Sequence, residues 1–249
     1  MFQRIDSSIR SLSKLVLHVD RYVEIMAKPN PFRFVPERTA LLIIDMQNDF
    51  CTPGGFGELL GNDITPTHAI IPTIQQLLAH WRRMGLLVIH TREGHLPDLS
   101  DCPPSKLSRS RAQGAGIGDL GPMGRILIRG ERGHAIVEEL TPLSDELIID
   151  KPGKGAFYAT PLEAILQQRG VESLIVSGVT THVCVHTTLR EANDRGYECL
   201  MLEDATAAFD ARDQESAIRM VHQQGGILGW TSMTAELIEQ LEVIANREG

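Results

Sequence analysis

The chain has 249 residues, a length that suits one large α/β domain or two small ones. Its composition, 42% hydrophobic and 22% charged, supplies a full core without disulfide or metal staples and excludes a disordered or fibrous chain. A net charge of −8 leaves no electrostatic footprint for nucleic acid, and apolar runs such as Leu41 to Ile44 fall far short of the roughly 18 residues of a membrane span, so neither partner is expected.

Residues 1–37 read as an N-terminal extension to a domain covering 38–249. Within the extension Ile9, Leu12, Leu15, Val16 and Val19 fit an amphipathic helix ending near Met26, a residue that reads equally well as a start. From residue 38 onward short β-rich runs alternate with helix-period runs, the mark of βαβ units. The pattern predicts a strand at 39–45, a Gly/Pro loop at 52–61, a helix over 70–84 stopped by Gly85, and a strand at 86–91. An irregular stretch follows from 92 to 124, with Pro97, Pro103, Pro104 and five glycines between 114 and 124, long enough to serve as a lid or binding wall. Further strands are expected at 125–129, 147–150, 173–179, 199–203 and 226–230, and helices at 161–169, 183–195, 214–223 and 234–245. No repeat or linker interrupts this series. It describes one doubly wound α/β domain, a mostly parallel sheet with helices on both faces.

In such a sheet a ligand binds outside the carboxyl ends of the strands. Asp45, Gln47, Asn48, Asp49 and Phe50 follow the first strand, and Arg92, Glu93 and His95 follow the second. Asp150, Lys151 and Lys154 follow the strand at 147, and Thr180, Thr181, His182 and Cys184 the strand at 173. A carboxylate, an ammonium and a thiol are thus delivered to one rim. Cys184 falls in the first turn of a helix, where the dipole and free N–H groups are expected to lower a thiol pKa and to bind an oxyanion, so a nucleophile is favoured over a packing cysteine. The four cysteines, Cys51, Cys102, Cys184 and Cys199, form no CxxC pair and follow no secretory pattern, which points to a reducing, cytoplasmic compartment. His182 and His186 lie two residues either side of Cys184, on other faces of the helix, and are poor candidates for its base. Asp45 is the better candidate, with a rim lysine holding it; Lys151 and Lys154 compete for that place.

The runs Leu-Ile-Ile-Asp-Met-Gln-Asn-Asp-Phe (42–50), Ile-Ile-Asp-Lys with Phe-Tyr-Ala-Thr-Pro-Leu (148–162) and Gly-Val-Thr-Thr-His-Val-Cys-Val with Thr-Leu-Arg-Glu-Ala (178–192) resemble the isochorismatase-like cysteine hydrolases. The resemblance spans about residues 38 to 240. It implies a catalytic Asp45, Lys151 and Cys184, a cis peptide at Val179–Thr180, and an oxyanion hole from the N–H groups near Thr180 and Cys184. It also implies a homo-oligomer, a tetramer. The segments His-Thr-Arg-Glu-Gly-His-Leu-Pro-Asp-Leu, Gly-Ala-Gly-Ile-Gly-Asp, Asp-Lys-Pro-Gly-Lys-Gly and Arg-Glu-Ala-Asn-Asp-Arg-Gly-Tyr-Glu-Cys are most similar to the biuret hydrolases of that family. That similarity implies Gln224, Phe50 and Lys154 as substrate-binding residues and a small linear amide or ureide as substrate, biuret first, then ureidoacrylate, triuret or an N-carbamoyl amino acid. No cofactor is expected. The Asp-x-His zinc pair of the nicotinamidases is missing from the sequence, and His90 and His95 lack a third ligand at metal spacing, so no metal is expected. The rival classes are a flavodoxin-like binding module, for which no glycine follows Asp45 in the phosphate-binding place, and a thiol redox sensor, which would want a resolving cysteine.

Overall fold

The computed structural model describes residues 22–248. A hairpin of β1 (Val23–Ile25) and β2 (Phe32–Phe34) precedes β3 (Thr39–Ile44), after which come the short helices α1 (Asn48–Cys51), α2 (Phe56–Leu59) and α3 (Thr65–Ala69). Next are α4 (Ile71–Arg83), β4 (Val88–Glu93), α5 (Pro104–Ala112), a ribbon of β5 (Leu120–Gly121) and β6 (Gly124–Arg125), β7 (Leu147–Lys151) and α6 (Leu162–Gln168). The chain ends through β8 (Ser173–Val179), α7 (His186–Asp194), β9 (Glu198–Ala207), α8 (Ala211–Gly226), β10 (Trp230–Ser232) and α9 (Thr234–Glu248).

The central sheet is parallel throughout, in the order β10-β9-β8-β3-β4-β7. Both faces are covered, as a parallel sheet requires, and the period-two alternation of each strand divides its side chains between them. Leu41 and Ile43 of β3 pack with Ile74, Leu77 and Trp81 of α4 and Leu237 and Leu241 of α9. Ala40, Leu42 and Ile44 face the other way, onto Leu162 and Leu166 of α6 and Leu189 and Ala192 of α7.

β3 is joined to β4 on one side, while β8 lies on its other side, so the direction of winding reverses between β3 and β8. At such a switch point the loops diverge and leave a crevice at the carboxyl ends. Asp45 leaves β3 and Thr180 leaves β8 at that crevice.

The hairpin revises the expected domain start. Val23, Ile25, Phe32 and Phe34 are buried in the first core cluster, the Phe32 ring lies 5.2 Å from that of Trp230, and Lys28 and Thr231 exchange both main-chain hydrogen bonds. The domain therefore reaches back to Val23 at least, because the outer edge of the short β10 is covered by this hairpin. The helix expected over Ile9, Leu12, Leu15, Val16 and Val19 lies outside the described residues. Four other expectations shift. The 92–124 stretch contains α5 and leads into the ribbon, the strand expected at 125–129 shrinks to β6 at Gly124–Arg125, β9 runs on to Ala207, and the last strand begins at Trp230.

Gly178 is the tightest point of the rim. It pairs with Ile44, has φ +103°, and a Cβ there would overlap the main-chain oxygen and nitrogen of Ile44, the residue just before Asp45. Gly170 also has a positive φ, +64°, but opens onto empty space. Gly178→Ala is expected to cost at least about 3 kcal/mol in denaturant unfolding and Gly170→Ala about 1 kcal/mol, since only the first adds an overlap to the backbone strain. Equal losses from the two substitutions would show that Gly178 carries no special packing constraint.

Candidate active site

Asp45 follows β3 with φ +50°, in the left-handed region that Asp tolerates better than most residues, and this turns its carboxylate back over the rim. The neighbouring strand holds it there. The Asp45 N–H donates to the Thr91 main-chain oxygen at 3.2 Å, and the Thr91 hydroxyl donates to Asp45 Oδ1 at 2.7 Å. Lys151, at the end of β7, reaches across β4 and places Nζ 2.7 Å from Asp45 Oδ2. Its remaining hydrogens go to the main-chain oxygens of Gly153 and Lys154, at 3.0 and 2.9 Å, so the loop after β7 is folded around its own lysine. Both side chains are fully buried. Burial alone would discharge Lys151, but Asp45 first, then Cys184 and Glu93, hold its ammonium pKa above the ordinary lysine value.

Cys184 stands one turn after β8. The Val179–Thr180 peptide is cis, and Thr181–Val185 form a single π-turn before α7, with the Val183 and Val185 N–H groups donating to Thr180 oxygen at 3.0 and 3.3 Å. Thr188 anchors this turn. Its hydroxyl donates to Cys184 oxygen at 2.7 Å and accepts from the Ala156 N–H at 3.0 Å, tying α7 to the Lys151 loop.

Between Asp45 and Lys151 on the rim stands Glu93, the last residue of β4, which sequence alone marks only as one of several polar residues after that strand. It is wholly buried. Its main chain is clamped by Gln47, which accepts from the Glu93 N–H at 2.7 Å and donates to the Glu93 oxygen at 3.0 Å. Its Oε1 takes Lys106 at 2.7 Å and Lys154 at 2.9 Å; its Oε2 takes Lys154 at 3.2 Å, the Cys184 thiol at 3.5 Å and Lys151 at 3.9 Å. Burial would raise its pKa, yet Lys154, Lys151 and Lys106 together hold it well below the usual carboxylate range. A signal for Glu93 exists in the strand period, since Thr91 and Glu93 share the face of β4 that meets Asp45. Nothing local marks Lys106, which arrives on α5 from within the long stretch.

One oxygen of Asp45, one of Glu93 and Cys184 Sγ lie within 4.8 Å of one another. These three atoms have the reach to ligate a cation, but ammonium groups already stand against both carboxylates. The two histidines considered for a metal are engaged separately, His90 Nε2 with Glu146 at 3.0 Å and His95 Nδ1 with Asp101 at 3.1 Å.

The thiol departs from expectation. Burial, and the nearby charges of Asp45 and Glu93, raise the Cys184 pKa despite the opposing pull of Lys151 and Lys154. The helix-start field is outweighed because the thiol is cut off from water and faces two carboxylates. His186 accepts from Arg190 at 2.9 Å and His182 faces Asp213 at 3.8 Å, so both imidazoles are engaged with other partners. Of the two competing lysines, Lys151 meets Asp45 and Lys154 meets Glu93.

Phe50 packs in the first core cluster, edge-on to Phe56 with centroids 6.2 Å apart. Gln224 is not brought to the thiol of its own chain. Helix α8 starts beside the site, where Gln214 accepts from the Thr181 hydroxyl at 2.6 Å, and runs toward the amino ends of the strands. Gln224, ten residues on, is exposed at the break in that helix with φ +52°, and ten residues of helix span about 15 Å. The following Gly226 stands against Pro29 of the N-terminal hairpin.

The chain matches the model of the Isochorismatase domain over residues 39–232. It is 33% identical to a ureidoacrylate amidohydrolase (RutB) of Methylorubrum extorquens over 217 residues, 86% of each chain. Among solved structures it resembles a cysteine hydrolase from Pseudomonas syringae pv. phaseolicola, with TM-score 0.72 and 30% identity over 84% of this chain and 95% of that one. It shares the fold of an N-carbamoylsarcosine amidase from Thermoplasma acidophilum, with TM-score 0.61 and 22% identity over 80% of this chain and 98% of that one. With its motifs at the rim and the family model covering the whole central sheet, the chain belongs to the isochorismatase family.

Proposed function

We propose that this protein is an amidohydrolase that cleaves a C–N bond of a small linear ureide through a Cys184 thioester, with biuret as the leading substrate. The observation that carries the proposal is the buried ion pair of Lys151 with Asp45 beside the Cys184 thiol. A thiol whose pKa is raised needs a base at the moment of attack, and Asp45 is the rim carboxylate with a single ammonium partner. Glu93, ringed by three ammonium groups, is held in its charged form and already committed to them.

In the first half-reaction Asp45 takes the Cys184 proton as Sγ bonds to the substrate carbonyl carbon, and the carbonyl electron pair moves to oxygen. The main-chain N–H groups at Thr180 and Cys184 hold that oxyanion. Asp45 returns the proton to the leaving nitrogen, the C–N bond breaks, and ammonia departs. Water, deprotonated by Asp45, then attacks the thioester and regenerates the thiol. The sum is biuret and water giving allophanate and ammonia. Lys151 holds Asp45 in place and offsets the negative charge on the sulfur. No step draws on a metal or cofactor.

One observation favours a second substrate. Lys106, Lys151 and Lys154 outnumber Asp45 and Glu93 by one charge, an excess that would suit a ureide bearing a carboxylate, as ureidoacrylate does.

An ammonia-release screen over biuret, triuret, ureidoacrylate, nicotinamide and N-carbamoyl amino acids decides between them, and biuret is expected to give the highest kcat/KM. Ureidoacrylate ahead of biuret would move the assignment to the acidic ureides, and turnover of none would sink it. With the best substrate, Cys184→Ala should lose at least about 10³-fold in kcat. Cys102→Ser should stay within about threefold, because serine at a thiol outside the mechanism costs at most some stability. A second measurement addresses the ion pair. Lys151→Met leaves a buried, unpaired Asp45 and should cost about 3–5 kcal/mol in denaturant unfolding, and adding Asp45→Asn to it should return part of that loss. Additive losses from the two substitutions would show that the pair is not coupled.

A further inference from the structure

We propose that Glu93 is a specificity-determining residue whose Oε2 accepts an N–H of the substrate, so that the site selects reactants carrying an N–H donor next to the attacked carbon. The inference rests on the ureide assignment for its substrate class, but its geometry stands alone. Glu93 Oε2 accepts from the Cys184 thiol at 3.5 Å in the resting site, while Oε1 is taken by Lys106 and Lys154. When the sulfur bonds to carbon its hydrogen is gone, and Oε2 keeps only Lys154 at 3.2 Å and Lys151 at 3.9 Å. An ionised carboxylate has about four lone-pair positions and only accepts. The group that has just arrived at the sulfur is the substrate, and a carbamoyl or amide substrate brings N–H donors to the vacated oxygen.

The same oxygen repels a substrate that presents an oxygen there. An ester or carboxylate oxygen offers no hydrogen, so the position the thiol vacated on Oε2 stays unfilled and two acceptors face each other out of water. Three lysines on one fully buried carboxylate are the means of keeping it charged without water. The Gln47 side chain fixes the Glu93 main chain from both sides, and Lys106 and Lys154 hold the carboxylate, so Oε2 is placed before a substrate arrives.

Cys184 alkylation provides a test that does not need turnover. Iodoacetamide carries a carboxamide N–H₂ beside the carbon that the sulfur attacks, and iodoacetate carries oxygen in its place. Rates at Cys184 are followed by peptide mass spectrometry on the full chain, with glutathione as the free-thiol reference. In the wild type the iodoacetamide-to-iodoacetate rate ratio is expected to exceed that of glutathione by at least about tenfold, the lower range of what one unmatched buried partner costs. Glu93→Gln, which keeps the side-chain shape, should lower the ratio by at least about tenfold. It should also move the pH dependence of alkylation to lower pH. The thiol then faces Lys151 and Lys154, with Asp45 as the carboxylate opposing them, so its raised pKa falls. A wild-type ratio no greater than that of glutathione overturns the proposal whatever the variant does. So does a folded Glu93→Gln protein, by melting temperature, with an unchanged ratio. Failure of every ureide in the ammonia screen would remove the proposed substrate class and leave these alkylation ratios standing.

Discussion

The 2.7 Å pair between Lys151 Nζ and Asp45 Oδ2 sets the rest of the site. Both groups are removed from water, and charges so placed are tolerated only when they are paired. Every remaining bond on the two side chains follows from that demand. Thr91 satisfies Asp45 Oδ1, and the Gly153 and Lys154 carbonyls satisfy the lysine. The pair joins the ends of β3 and β7 over the top of β4, so three adjacent strands are held in register at their chemically active ends. The sequence order of the two residues, more than a hundred positions apart, is irrelevant once the parallel sheet places the strand ends side by side.

The backbone pays for this arrangement in conformation at two neighbouring points. Asp45 sits at φ +50° and Gly178, beside Ile44 on the next strand, at φ +103°. Strain of this kind, on a rim that also carries a buried thiol and two buried carboxylates, is typical of a site whose surroundings over-determine it. The elements doing so are identifiable. They are the Gln47 clamp on Glu93 and the Thr188 hydroxyl bridging α7 and the Lys151 loop.

Much of this was legible in the sequence because it is local. β8 falls at Ser173–Val179, the seven residues predicted, since a buried central strand shows as the short apolar run Leu174–Val176 extended by small residues and Val179. Asp45 and Cys184 are legible because each follows a strand, whereas Lys151 is separated from Lys154, which follows the same strand, only by the family resemblance. What the sequence hid depends on contacts across the fold. The Val23–Phe34 hairpin is recognisable only when Phe32 meets Trp230, some 200 residues away. β9 runs past its apolar segment because Asp204 leaves the core pattern to cap α9, accepting from the Thr234 N–H at 2.8 Å. The raised thiol pKa was missed because a helix start is visible in sequence and two converging carboxylates are not.

Gln224 and Lys106 together show where selectivity has to come from. Similarity of motifs placed Gln224 against the substrate, but α8 carries it along the sheet toward the amino ends, so in its own chain it is remote from Cys184. Lys106 carries no motif, yet α5 brings it within 2.7 Å of Glu93 and 2.7 Å of the Pro152 oxygen. The length of the 92–124 stretch thereby acquires a physical reason. Lys151 and Lys154 already match Asp45 and Glu93 in charge, and Lys106, carried on α5 within that stretch, adds a third ammonium to the fully buried Glu93. The segment that carries Lys106 is thereby tied to the carboxylate beside Cys184, and a change in α5 alters how strongly Glu93 is held.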